Sequence, residues 1–285
     1  MNYRHGFHAG NFADVFKHII LARLVTYLQR KSAGFRYIDT HAGRGLYDLT
    51  ADEAHRTHEA DGGIHAFWAG LDSAPDAVAS LLHPYVHALE LARTRFGDLA
   101  YPGSPRVVHE LRRSQDKIVA IEKNQLEFVK LRDGFVGAHG ITTLHLDGYT
   151  GLKSQLPPKE RRGLILIDPP FELRTEFDDI LKGLREALKR FQSGTYAIWY
   201  PLKNQAAVTS FKNGLRTLTD DLLIVEIEVG PKSNADGKAM FYGCGMVILK
   251  APYVLSDELE QIMPWLTGVL GRSATDANFR IESLR

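Results

Sequence analysis

Along residues 12–31 apolar side chains fall at three- and four-residue steps: Phe16, Ile19, Ile20, Leu24, Tyr27 and Leu28. This period predicts a helix. Asn11 is placed to cap it, Asp14 sits three residues on at the position a capping box uses, and Gly34 supplies a stop. Five strand-like runs follow, at residues 36–40, 117–122, 142–146, 164–168 and 195–200. The middle runs are mostly apolar without alternation, as in parallel strands buried on both faces. Helical patterns separate them, for example at residues 177–191. Two later runs, 222–229 and 245–249, read as a closing hairpin, and the turn formers of 231–237 (PKSNADG) are expected to be a mobile loop between them. Strand alternating with helix predicts a doubly wound α/β sheet. Residues 50–106 break the alternation. Their helical, histidine-rich pattern predicts a small helical insertion subdomain after the first strand, within a single domain covering 1–285.

A chain of 285 residues with 44% hydrophobic content can build one large core of this kind. No window of about 18 apolar residues occurs, so no membrane span is expected. The opening MNYRHGFHAGNF has no apolar signal-peptide core, and the single cysteine, Cys244, cannot form an internal disulfide. Both point to a cytoplasmic protein. The formal net charge of +1 gives no bulk signal for a polyanion, so any RNA footprint must be a local patch. Nothing in the sequence calls for a protein partner, and a monomer is expected.

Four strand ends carry chemistry. In YIDTHAGRG a strand delivers Asp39 into a glycine-rich turn with His41, Gly43 and Gly45, where the backbone can approach a nucleotide cofactor closely. A tight turn in an unrelated α/β protein would look the same. Glu122 ends VAIE, where a carboxylate can accept from both ribose hydroxyls. The gap back to the glycine turn far exceeds the usual value of about 20 residues, and the insertion accounts for the excess. Asp147-Gly148 follows TTLHL; it can receive a cofactor's adenine amine or simply form an Asp-Gly turn. The most specific of the four is LILIDPPF. Its strand delivers Asp168, then Pro169 and Pro170, which lack N–H groups and stiffen the chain, then Phe171. An exocyclic base amine can donate to the Asp168 carboxylate and to the Pro169 carbonyl while Phe171 stacks on the base. Asp168 can take the proton that the nitrogen sheds as it is alkylated.

The N-terminal cluster of Tyr3, Arg4, His5, His8, Asn11, Asp14, Lys17 and His18 has two readings. One is a solvated polar face. The other is a rim on which Tyr3, His5, His8 and Lys17 contact RNA phosphates and a base. No metal is expected: no cysteine lies nearby and the histidine spacing matches no metal motif. Lys159, Arg161, Arg162, Arg185, Lys189 and Arg190 can extend such a rim or be ordinary surface.

Taken in order, the pieces resemble the class I methyltransferases, whose Rossmann-like sheet ends in an antiparallel hairpin. YRHGFHAGNFADVFKH, DTHAGRG, YPGSP, RRGLILIDPPF, SGTYAIWYP and MPWL look like the bacterial RlmJ family, which methylates an adenine N6 in 23S ribosomal RNA. The resemblance runs from residue 1 to about Leu266 and leaves the tail uncovered. It implies a seven-stranded, mostly parallel sheet and S-adenosylmethionine as methyl donor. It places His18, His41, Ser104, Glu122, Asp147, Gly148 and Asp168 at that cofactor, joined by Gly43 of the glycine turn. It makes Asp168 the proton acceptor and sets Tyr3 against the target adenine. The adenine family usually carries tyrosine where Phe171 stands, and a DPPF ending also resembles guanine-N2 methyltransferases of 16S ribosomal RNA. Guanine methylation, a nucleotide-cofactor oxidoreductase and a non-catalytic RNA-binding scaffold are the alternatives to adenine methylation.

Overall fold

The computed structural model describes residues 5–51, 58–233, 237, 240–272 and 275–284. Its helices are α1 (Phe12–Gln29), α2 (Ala66–Gly70), α3 (Asp76–Phe96), α4 (Ser104–Leu111), α5 (Gln125–Gly134), α6 (Gly148–Gln155), α7 (Glu176–Arg190), α8 (Gln205–Arg216) and α9 (Leu255–Leu270). Its strands are β1 (Arg36–Asp39), β2 (Leu46–Asp48), β3 (Ala100–Pro102), β4 (Lys117–Glu122), β5 (Ile141–His145), β6 (Gly163–Ile167), β7 (Thr195–Pro201), β8 (Leu222–Glu228), β9 (Gly243–Leu249) and β10 (Asn278–Leu284).

Eight strands form one sheet in the order β10-β8-β9-β7-β6-β1-β4-β5. The five from β7 to β5 are parallel, and β9, β8 and β10 add antiparallel to one side. The expected class holds, but the expected seven strands become eight. The extra strand comes from the C-terminal tail, where Phe279 and Ile281 alternate with Arg280 and Glu282 along the edge of β8.

The unalternating strands are apolar because both faces are covered. β1 sends Tyr37 to one side and Ile38 to the other; β6 sends Leu164 and Leu166 one way, Ile165 and Ile167 the other. Helices α6, α7 and α8 cover the second side, whereas α1, α3 and α9 pack on the first. β2 and β3 pair as a short antiparallel ribbon, and α2 and α3 lie between them in sequence. Three-residue strands carry too little pattern to be read from the chain.

Helix α1 starts as expected. The Asn11 side chain accepts from the Asp14 amide at 2.9 Å, and Asp14 reaches back to the Gly10 amide at 3.0 Å. It ends at Gln29 with Arg30 as its cap, short of the expected residue 31 and Gly34. Every residue from Phe12 to Val25 is buried, including Asp14, Lys17, His18 and Arg23. For Asn11, Asp14, Lys17 and His18 the solvated polar face is therefore wrong: α1 is an internal helix with charges inside. One is met by Glu258 of α9, which accepts from Arg23 Nε and Nη2 at 2.9 Å each. No helix among the described residues is long and apolar enough to cross a membrane.

Candidate active site

Parallel strands end on one side of a sheet, so the acids at the ends of β1, β4, β5 and β6 converge. Those of β4, β5 and β6 face one cavity of about 810 Å³ lined by His18, His41, Gly43, Ser104, Glu122, Asp147, Gly148, Asp168, Pro169 and Phe171, together with His8 and Lys17. Tyr3 lies outside the described residues. His5 lies in a 3₁₀ turn, His5–Phe7, ahead of α1.

The turn after β1 takes φ of +59° at Gly43 and +76° at Gly45, left-handed values that glycine adopts without strain. It is held to β4 by the acid 79 residues away: Gly43 N–H donates to Glu122 Oε2 at 2.9 Å and Asn124 N–H to Oε1 at 2.6 Å. Burial nonetheless raises the Glu122 pKa above its ordinary value. Asp147 caps α6, accepting from the Tyr149 and Thr150 amides at 3.2 and 3.1 Å. Burial alone would raise its pKa, but the Thr150 amide and the Lys123 ammonium at 3.1 Å outweigh it and hold the carboxyl low. Gly148 is required sterically, because a Cβ there would run into the Thr40 carbonyl and the His41 ring. Burial pushes the His41 pKa down to about 4, so its ring is neutral at pH 7.

Asp39, noted in the sequence as the acid leading into the glycine turn, and Tyr101, unremarked there, complete this side. Asp39 is fully buried, and its Oδ2 accepts from Ser104 Oγ at 2.6 Å and Tyr37 Oη at 2.7 Å. Burial raises its pKa to about 6. The Ser104 hydroxyl therefore gives its proton to Asp39. Tyr101 holds His18, its hydroxyl 3.0 Å from Nδ1.

The other side is built on Asp168. Lys17 Nζ lies 2.6 Å from Asp168 Oδ2 and 2.9 Å from Asp14 Oδ1, so one buried ammonium bridges two carboxylates. Burial alone would lower the Lys17 pKa, but the two carboxylates more than reverse this and hold it well above the usual lysine range. Lys17 is thus bonded to the Asp168 carboxylate inside the cavity, not on an outer rim. Phe171 takes φ of +52°, which is uncommon for a bulky residue. Its ring meets Phe177 and Trp199 edge-on at centroid distances of 5.0 and 5.7 Å. Trp199 and Phe241 also line the cavity.

The basic residues offered as a rim extension do not reach it. Lys159, Arg161 and Arg162 precede β6 and so lie at the opposite end of the strand from Asp168. Arg162 instead donates to the carbonyls of Leu28, in the last turn of α1, and Ala33, beyond it. Arg185, Lys189 and Arg190 belong to α7, which lines the cavity through residues such as Asp179, Lys182 and Glu186, but these three are not part of the lining. Besides Lys17, the lysines that line the cavity are Lys123, Lys153, Lys182 and Lys203.

The strand order β5-β4-β1-β6-β7-β9-β8, with the glycine turn after β1 and the acids at the ends of β4, β5 and β6 around one cavity, defines a class I methyltransferase. The family model for "Ribosomal RNA large subunit methyltransferase D, RlmJ" matches residues 32–281. The chain belongs to this RlmJ family. It is similar to Ribosomal RNA large subunit methyltransferase J of Haemophilus influenzae, 38% identical over 271 residues, 95% of this chain and 94% of that one. The Escherichia coli K12 protein of the same name is 34% identical over 275 residues, 96% of each chain. A Legionella pneumophila crystal structure superposes with a TM-score of 0.86 at 33% identity, covering 97% of this chain and 98% of that one.

Proposed function

We propose that this protein transfers a methyl group from S-adenosylmethionine to the exocyclic N6 amine of an adenine in 23S ribosomal RNA. The observation that carries the reading is Asp168. It ends β6, is followed by the Pro169-Pro170-Phe171 stretch, and shares one cavity with Glu122 and Asp147.

The cavity fits the cofactor chemically. Glu122 would receive the ribose hydroxyls, Asp147 the adenine amine, and Gly43 and Gly148 leave room for close backbone approach. Ser104, whose own proton goes to Asp39, would offer lone pairs to an ammonium group, with His18 and the neutral His41 nearby. When bound, the sulfonium supplies an electrophilic methyl group.

The chain's own residues would do the rest. Lys17 occupies Asp168 Oδ2, so Oδ1 is the oxygen left to accept from the target amine. Pro169 has no N–H to compete, and its carbonyl would accept the second hydrogen. With both hydrogens held as donors, the nitrogen lone pair is directed toward the methyl group. As positive charge builds on the nitrogen, the Asp168 carboxylate stabilises it and takes its proton. Phe171 would stack on the extruded base, with Tyr3, His5 and His8 on the RNA side. The 50–106 segment is proposed as a helical subdomain of a single-domain, monomeric cytoplasmic enzyme.

Nucleoside mass spectrometry of ribosomal RNA from a deletion strain, with and without the restored gene, checks this. N6-methyladenosine in 23S RNA is expected to disappear and return. A change in N2-methylguanosine alone would transfer the assignment to guanine, and no change in any methylated nucleoside would refute an RNA-methylating role.

A further inference from the structure

The insertion and the N-terminal segment meet at the cavity mouth through one carboxylate. We propose that Glu59 is a positioning residue which fastens the insertion to the start of α1, so that the insertion shapes the RNA-facing wall of the site by holding His8 and Asn11. The inference rests on the reading of this cavity as the RNA-methylating site.

His8 Nδ1 lies 3.0 Å from both Glu59 oxygens, and Asn11 Nδ2 donates to Glu59 Oε2 at 2.9 Å. All three residues line the cavity that holds Asp168. Backbone contacts reinforce the junction. Ile64 N–H donates to the Gly10 carbonyl at 2.7 Å, and Gly63 packs so closely that a Cβ would strike the Gly10 carbonyl and the Asn11 backbone.

From Glu59 an unbroken path leads to the reacting carboxylate. Asn11 gives its amide hydrogen to Glu59 and accepts the Asp14 N–H with its oxygen at 2.9 Å. Asp14 accepts from Lys17, and Lys17 donates to Asp168. The insertion is thereby tied to the catalytic end of β6 through the first turns of α1. A lone carboxylate on an RNA-facing wall would repel phosphate. Paired with His8 and Asn11 it is internal cement rather than an RNA contact, and this separates the proposal from an insertion that grips RNA directly.

The latch is charge-dependent. His8 is faced by Glu59, Asp14 and Lys203, and Glu59 also by Arg272. The Glu59 hydrogen bond, working against burial, raises the His8 pKa above the ordinary histidine value. The stabilisation is therefore complete between the lowered Glu59 pKa and the ordinary histidine value; it is lost as pH rises through the raised His8 pKa, and also as pH falls through the lowered Glu59 pKa.

The test measures kcat and KM for a 23S RNA fragment across pH, together with calorimetric binding of S-adenosylhomocysteine. It compares wild type, Glu59→Ala, Glu59→Gln, His8→Ala and the Glu59→Ala/His8→Ala double variant. Glu59→Ala should raise KM for RNA about tenfold, the scale of a lost charge-assisted hydrogen bond, with S-adenosylhomocysteine binding within about twofold of wild type. Glu59→Gln keeps an acceptor for Asn11 and should recover part of the loss, while its rise in KM with pH moves to lower pH. The double variant should be no worse than the worse single variant, because both changes break one contact. Wild-type KM and pH profile in Glu59→Ala, or losses that add in the double variant, would overturn the latch. Wild-type protein that methylates no RNA would instead refute the underlying functional reading.

Discussion

Asp168→Asn is expected to slow methyl transfer by at least about 100-fold while cofactor affinity changes far less. The amide keeps the size and one acceptor oxygen but loses the negative charge that opposes a cationic N6. It also introduces an NH₂ that must face either the Lys17 ammonium or the target amine, both donors. General-base and electrostatic contributions of this kind are each worth on the order of 100- to 1,000-fold. The fold should survive, because Lys17 keeps its 2.9 Å contact with Asp14. Calorimetry with S-adenosylhomocysteine and single-turnover transfer to RNA separate the two effects. Transfer at the wild-type rate would remove Asp168 from the chemistry.

Lys17→Met is expected to be damaging in a different way, through stability first. Methionine fills the space but leaves Asp14 and Asp168 without their shared counter-charge, and the Lys17 and Asp14 side chains are only 6% and 2% exposed. Removing one partner of a buried pair costs about 3–5 kcal/mol, which denaturant unfolding resolves easily. The deficit should shrink as pH falls, because protonation removes the uncompensated negative charge; it should be full at neutral pH. Methyl transfer should fall as well, since Asp168 Oδ2 loses the contact that orients it. Wild-type stability at pH 7 would show that the bridge contributes nothing.

The strand-end acids were legible in the sequence because each sits at the end of a local pattern. A buried apolar run followed by Asp168-Pro169-Pro170-Phe171 carries its own context, and the convergence of Glu122, Asp147 and Asp168 follows from parallel pairing alone. Lys17 was not legible in the same way. Its contact with Asp168 spans 151 residues, and Asp14, Lys17 and His18 on a helix look like a solvated face until both sides of that helix are known to be covered. Glu59 was hidden for the same reason, since nothing local links it to His8. The basic residues before β6 are a different failure. Strand direction already puts residues 159–162 at the far end from Asp168, and the sequence alone could have excluded them. The eighth strand was also within reach, through the alternation of Phe279 and Ile281, but the half-exposed edge it forms gives a weaker signal than a buried run.

The amine clamp is tested most directly by substrate chemistry. Purified protein is given labelled methyl donor and 23S RNA fragments that differ only at the target position, one carrying adenine and one inosine, which lacks the exocyclic amine. Label is expected at that position in the adenine fragment and none in the inosine fragment, although both fragments bind. Equal labelling of the two at that position would contradict transfer to N6 and the role given to Asp168.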